Sequence, residues 1–313
     1  MRSMSPRSFA QRPYDCRPRE TDEKPQLMKS LFLIGTPFHA FLAKRIIIAE
    51  QLDADAWVMS YPPTPKSEHY FAELKIVANA VYDDRRPGKL FGPWYGMTRR
   101  YFRQPYDRVY CALTQPWYFR RPLTLAKEIL TFDDGLGNYV EGSFDDFERL
   151  QDRLFARLFS LPTHSEIQGR VVAHYAVRPD LPNSGGRPEM IIPIELGVEL
   201  GDGKSPVTLA VGHPFEELYD PRIVARVRER LKGLPYFPHP REFSPPPGAI
   251  STPDIIEDYV TKLSQEHEVT LVGGFSTALV TIPNVKKIYL DVYGDPKRRA
   301  IMESAGCEVE SMT

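Results

Sequence analysis

Residues 29–51 read KSLFLIGTPFHAFLAKRIIIAEQ, and two periodicities meet inside them. LFLI is an apolar run of strand length, GTP is a tight turn, and Phe38, Phe41, Leu42, Ile46 and Ala49 then recur at helical spacing. A strand, a glycine turn and a helix in that order open a doubly wound α/β unit.

The alternation continues outward from this unit. AWVMSY (56–61), DRVYCAL (107–113) and EILTF (128–132) read as further strands, with HYFAELKIVANAV helical between the first two. Residues 84–105 and 115–122 are rich in aromatics, Arg, Pro and Gly and read as long surface loops. DDFERLQDRLFARLFSL (145–161) has the spacing of an amphipathic helix and RVVAHYAV (170–177) that of a strand, while RPDLPNSGGRPE (178–189) has linker composition. After the linker the pattern restarts with PVTLAVG, DPRIVARVRERLK, PYFPHP, DIIEDYVTKLSQE, VTLVGG, a short helix from Ser276, KKIYLDV, KRRAIMESAG and EVE. The expected organisation is a disordered leader over 1–27, one Rossmann-like domain over 28–185 and a second over 186–313, facing a central cleft. This is the α/β architecture called GT-B. Many glycosyltransferases use it, and dehydrogenases and kinases share its raw pattern.

Composition narrows the classes. With 42% hydrophobic and 26% charged residues the chain can bury ordinary globular cores, and a net charge of −1 removes the electrostatic reason to expect a nucleic-acid partner. Cys16, Cys111 and Cys307 are far apart, odd in number and without zinc spacing, which favours a reducing compartment and no structural metal. The longest apolar run, 31–43, is interrupted and too short to span a bilayer, and the start lacks the apolar core of a signal peptide, so a cytoplasmic location is expected.

No GxGxxG follows a strand and no GxxxxGK[ST] occurs, so the dinucleotide and P-loop readings lack their phosphate cradle. Instead, FDDGLGNY (132–139), YFPHPRE (236–242) and GGFSTALV (273–280) sit where predicted strands end, the edge at which open α/β sheets bind ligands.

The order of a DDG element, an HP element and a Ser-Thr element, together with IGTPFHAFLAKRII near the start, resembles the bacterial sialyltransferases. Within them it is similar to glycosyltransferase family 52, the lipooligosaccharide sialyltransferase family, over roughly residues 28–310. The resemblance implies an inverting, metal-independent transfer without a cofactor, from CMP-sialic acid to a terminal galactose of a glycan or lipid-linked oligosaccharide. The N-terminal domain would then face the acceptor and the C-terminal domain would bind the CMP-sugar. It also implies that homodimers form in some relatives.

The residues can be read physically beside that resemblance. His239, bracketed by prolines on a stiff strand exit, suits a phosphate ligand and general acid. Ser276 and Thr277 open a helix after two glycines, so hydroxyls and free N–H groups would face the same anion. Asp133 or Asp134, a carboxylate pair beside a glycine, suits the base that deprotonates the acceptor. The resemblance supplies a second candidate base, because the family's spacing from the HP histidine falls on Glu217, next to Glu216. It likewise implies that Glu257 grips the ribose hydroxyls. Gly35 would let backbone approach the donor. His39 reads as a satisfied helix residue, and His213, in a second HP pair, as a decoy. Asp53-Ala54-Asp55 has the DxD form of a metal-dependent transferase but precedes a strand, where acidic loop residues are ordinary. A lipid-linked acceptor would favour peripheral contact with the inner face of the cytoplasmic membrane, for which WYGMTRRYFRQPY (94–106) and WYFRRP (117–122) have suitable basic and aromatic side chains.

Overall fold

The computed structural model describes residues 28–59, 63–84, 105–140, 150–185, 190–199 and 203–312. The expected leader and most of the 84–105 loop lie outside the described residues.

Two parallel sheets carry the chain. The first contains β1 (Lys29–Ile34), β2 (Asp53–Val58), β3 (Ala80–Asp83), β4 (Arg108–Cys111), β5 (Glu128–Phe132), β6 (Val171–Ala176) and β7 (Ile191–Pro193), in the order β3-β2-β1-β4-β5-β6-β7. The second contains β8 (Ser205–Val211), β9 (Tyr236–Phe237), β10 (His267–Gly273), β11 (Lys286–Asp291) and β12 (Glu308–Ser311), in the order β12-β11-β10-β8-β9. Strand order reverses between β1 and β4 in one sheet and between β8 and β10 in the other, and the crevices at such reversals are where ligands bind.

Helices α1 (Pro37–Ala49), α2 (Pro65–Val77), α3 (Trp117–Leu125), α4 (Leu150–Leu158) and α5 (His164–Gln168) belong to the first domain. The second has α6 (Phe215–Leu218), α7 (Pro221–Leu231), α8 (Ile256–Leu263), α9 (Thr277–Thr281) and α10 (Pro296–Ser304). Four of the prolines have a shared local purpose. Thr36-Pro37, Thr64-Pro65, Asp220-Pro221 and Asp295-Pro296 each place a capping side chain before a proline at the first helical position, where no N–H is needed.

The structure differs from expectation in four places. The first sheet takes β7 from beyond residue 186, so the Pro/Gly-rich segment joins β6 to β7 and the first sheet ends at Pro193. Residues 117–122 belong to helix α3, because Phe119 and Leu123, four apart, are buried. Between them Arg120 is fully buried and donates to the carbonyls of Gln115 (2.8 Å) and Pro162 (3.2 Å). AVYD (80–83) forms the edge strand β3, unsuspected because it is short and only partly buried. In PYFPHP only Tyr236 and Phe237 pair, since the prolines remove ladder donors.

The loops and helices after the strands of one sheet meet those of the other. Leu136 N–H donates to Thr277 Oγ1 (3.2 Å), Tyr70 O–H to Asp258 (3.0 Å), Lys66 to the Asp254 carbonyl (2.5 Å) and Arg178 to the Val280 carbonyl (2.9 Å). A continuous apolar core, including Phe41, Tyr70, Ile255 and Val260, runs beneath these bonds. Two Rossmann-like domains joined across the ends of their parallel strands make this a GT-B fold.

Candidate functional site

From the first domain, β5 runs into Asp133, Asp134 and Gly135, and the two carboxylates part company. Asp133 is fully buried. It accepts from Tyr139 O–H, His174 Nε2 (3.0 Å), Val177 N–H (2.7 Å) and Asn183 Nδ2 (3.0 Å). Those donors satisfy its lone pairs and make it a structural anchor, which removes it as a base. Asp134 turns the other way, its Oδ1 lying 2.7 Å from His39 Nε2 with its side chain 28% exposed. His39 Nδ1 in turn accepts the Gly35 N–H at 3.1 Å, which leaves the imidazole proton on Nε2, pointing at the carboxylate. His39 is therefore tied to Asp134 rather than satisfied within its own helix, and the Gly35 N–H orients it instead of standing free for a donor.

From the second domain, β8 leads to Gly212 and His213, β9 to His239, and β10 to Gly273, Gly274 and Phe275 before α9 begins. The imidazoles of His213 and His239 lie 6.2 Å apart by ring centroids. Only glycine fits at 212, because a Cβ there would meet His239 N at 2.6 Å and Glu242 Oε2 at 2.7 Å. The Arg-Glu pair after the HP element now has a role. Glu242 accepts from Tyr236 O–H (2.6 Å) and from the His239 N–H (3.3 Å), bracing the turn that presents the ring. His239 Nδ1 accepts the Arg241 N–H (3.1 Å), so Nε2 carries the proton and faces outward from that bond. Burial first, then His213 and Arg241, hold His239 down at about 4. Burial likewise holds His213 at about 4, against a backbone hydrogen bond at Phe275. Both rings are thus neutral near pH 7, each with a single N–H: that of His239 is on Nε2, whereas that of His213 is taken by the Phe275 backbone, which leaves His213 Nδ1 a lone-pair acceptor until the ring is protonated.

Two buried polar atoms on these turns have no partner among the described residues: His213 Nδ1 and Ser276 Oγ, each in a residue 8% exposed. Orphaned buried polar atoms are costly and uncommon, and here both flank the Gly273-Gly274 turn. A Cβ on Gly274 would lie 3.9 Å from the His213 ring. Ser276 is the N-cap residue of α9 yet makes no side-chain cap bond, leaving its hydroxyl uncommitted. The Arg298 guanidinium stands 5.3 Å from the Phe275 ring centre and adds positive potential at His213. The sequence reading set His213 aside and did not single out Arg298. The Gly-His-Pro after β8 was a usable signal for the first, whereas Arg298 lies on an unremarkable basic helix.

Thr277 is committed to the seam between the domains. Besides accepting from Leu136, it lies against Gly135, where a Cβ would meet it at 3.0–3.1 Å and where φ is +121°. Glu217 stands on α6 and pairs with Arg241 at 3.6 Å, beside the HP turn. Glu257 is 4% exposed, accepts from Thr281 Oγ1 (3.3 Å) and is raised to about 7 by burial, near Lys66 of the other domain. The structure thus gathers Asp134 with Gly35 across the seam from Thr277, and gathers His239, His213, Glu217 and Ser276 on the second domain. Glu257 is set into the seam itself.

Asp53 and Asp55 stand at the N-terminal end of β2, the opposite edge from these turns. Asp53 accepts from Asn79 and Asp55 from Tyr106 O–H (2.8 Å), which accounts for both carboxylates structurally. Among the described residues, His69, Asp254 and Asp258 have donor atoms within 4.8 Å of one another, a spacing that could hold a cation. Lys262 already supplies one, 2.9 Å from Asp254 and 3.3 Å from Asp258, so the carboxylates form an ion-pair network of the second domain, with His69 of the first domain 3.7 Å from Asp254. Among the described residues no helix is long and apolar enough to cross a membrane.

No family model and no curated protein matches the chain. Among solved structures it is similar to a UDP-GlcNAc 2-epimerase from Neisseria meningitidis bound to UDP-GlcNAc, with TM-score 0.46 and 12% identity over 87% of this chain and 85% of that one. It is also similar to MurG from Acinetobacter baumannii, with TM-score 0.46 and 12% identity over 90% of this chain and 85% of that one.

Proposed function

We propose that the chain is an inverting, metal-independent sialyltransferase that moves sialic acid from CMP-sialic acid to a terminal galactose of a bacterial surface glycan. The observation that supports this reading is the pair of orphaned polar atoms, His213 Nδ1 and Ser276 Oγ, with the His239 ring, whose proton is on Nε2, 6.2 Å from that of His213. A hydroxyl and a ring N–H on the turns that flank His213, together with a histidine that an anion would protonate, suit one phosphate, and CMP is the nucleotide leaving group with a single phosphate.

In this reading Asp134 takes the proton of the acceptor hydroxyl as the oxygen bonds to the anomeric carbon, and His39 holds the carboxylate in place. The bond from that carbon to the phosphate oxygen breaks with its electron pair remaining on CMP. Ser276 and His239 donate to the charge that develops there, His213 Nδ1 does so once the approaching phosphate has drawn a proton onto that ring, and the helix start at α9 adds its dipole. Glu217 is the other candidate base. Its pairing with Arg241 favours a role in fixing the HP turn, while Asp134 belongs to the first domain, to which this reading gives the acceptor. Glu257, held partly protonated near neutrality, can both accept from and donate to a ribose diol.

A donor screen with purified protein and lactose-type acceptors, read by released nucleotide, tests the reading. CMP release from CMP-sialic acid in the presence of EDTA supports it. Turnover confined to another CMP-nonulosonate or to a UDP-hexose assigns the fold to a different donor, and binding without turnover assigns it to a nucleotide- or glycan-binding protein.

A further inference from the structure

Helix α4, LQDRLFARL, is turned the wrong way round for a helix that serves its own core. Leu150, Leu154 and Leu158 are 73%, 60% and 71% exposed. Four apart, they fall within about 80° of one another on the helix surface. Ala156, which is buried, lies roughly opposite. The leucine stripe therefore faces solvent and the small residue faces the protein. Arg153 and Arg157, both exposed, run along one edge of the stripe. Helix α3 packs beside α4 and contributes exposed Arg121 and Leu125, the latter 39% exposed.

We infer that this face of the first domain docks on an anionic lipid surface, with the leucines entering the interface and the arginines meeting lipid phosphates. Two features select that occupant. Three leucines offer on the order of 300 Å² of apolar area, well below the ~800 Å² per partner of a stable protein interface. The combination of a short apolar stripe with interleaved Arg is sufficient, however, for reversible interfacial binding, in which each chemistry supplies part of the affinity. The inference is independent of the proposed reaction.

The test is co-sedimentation of the full chain with vesicles of phosphatidylglycerol and phosphatidylcholine, and with phosphatidylcholine alone. The expected result is partition onto the anionic vesicles that weakens at high salt. It should fall at least tenfold in Leu150→Ser/Leu154→Ser/Leu158→Ser and also in Arg157→Glu, both with wild-type melting temperatures. Equal partition of wild type and both variants, or no binding of wild type to anionic vesicles, overturns the inference. So does a wild-type dimer in light scattering that the triple variant abolishes without any vesicle binding, since the stripe would then be covered by a second copy.

Discussion

His39 Nε2 and Asp134 Oδ1 are 2.7 Å apart, and the Gly35 N–H bonded to the other ring nitrogen fixes which of them carries the proton. A carboxylate that receives one oriented N–H is held at a fixed angle, which is what a base needs. Replacing Asp134 by Asn should therefore lower kcat by about 100-fold or more. His39→Gln, which keeps a donor but loses the link to Gly35, should give an intermediate loss with KM for the donor nearly unchanged. Steady-state release of CMP separates the two effects, and equal activity in all three proteins would remove Asp134 from the chemistry.

Its neighbour Asp133 predicts the opposite behaviour. With its hydrogen bonds inside the core, Asp133→Ala strands several buried donors and should cost about 3 kcal/mol or more of stability. Thermal melting of Asp133→Ala against Asp134→Ala checks this, with a clear drop expected only for the first.

The seam between the domains depends on Gly135. An alanine there would have φ +121° and a Cβ against Thr277, so Gly135→Ala should destabilise by roughly 1–3 kcal/mol and lower kcat by spreading the seam. Thr277→Ser retains the acceptor for the Leu136 N–H and should behave like wild type, while Thr277→Val should not. Melting temperature and kcat for the three variants check this together.

The two histidines set a pH dependence. Both are held at about 4 without ligand, below the ordinary value near 6.5. Each depressed imidazole therefore contributes stability that is present above the unfolded value and is lost as pH falls from about 6.5 toward about 4. An anion placed beside them raises their pKa again, so CMP binding should take up protons and tighten as pH falls from 8 toward 6. Calorimetry in buffers of different ionisation enthalpy measures the uptake, and none at pH 6 would place the phosphate elsewhere.

Much of this arrangement was readable from the residues. Apolar runs such as LFLI and TLAV announce buried parallel strands, and DDG, HPRE and GFST each stand where a strand must end. The pairing of those ends across two domains follows from topology, so the strand-end positions of Asp134, His239 and Ser276 were accessible. His39 was not, because a histidine on the first turn of an apolar helix looks satisfied until its partner, 95 residues away, is placed beside it. The surroundings of His213 were hidden for a related reason. Two HP pairs look alike in sequence, and only the burial of one ring with an unpartnered nitrogen distinguishes their roles. The outward leucines of α4 were invisible as well, since periodicity gives the width of an apolar stripe but not the side it faces.

The most direct measurement compares the affinity of CMP with that of cytidine for wild type, Ser276→Ala and His239→Ala. If His213, His239 and Ser276 share the phosphate, wild type should prefer CMP by about 100-fold, and each variant should lose about tenfold of that preference while binding cytidine unchanged. Equal binding of CMP and cytidine by wild type, or a preference for CMP untouched by either substitution, would contradict the account.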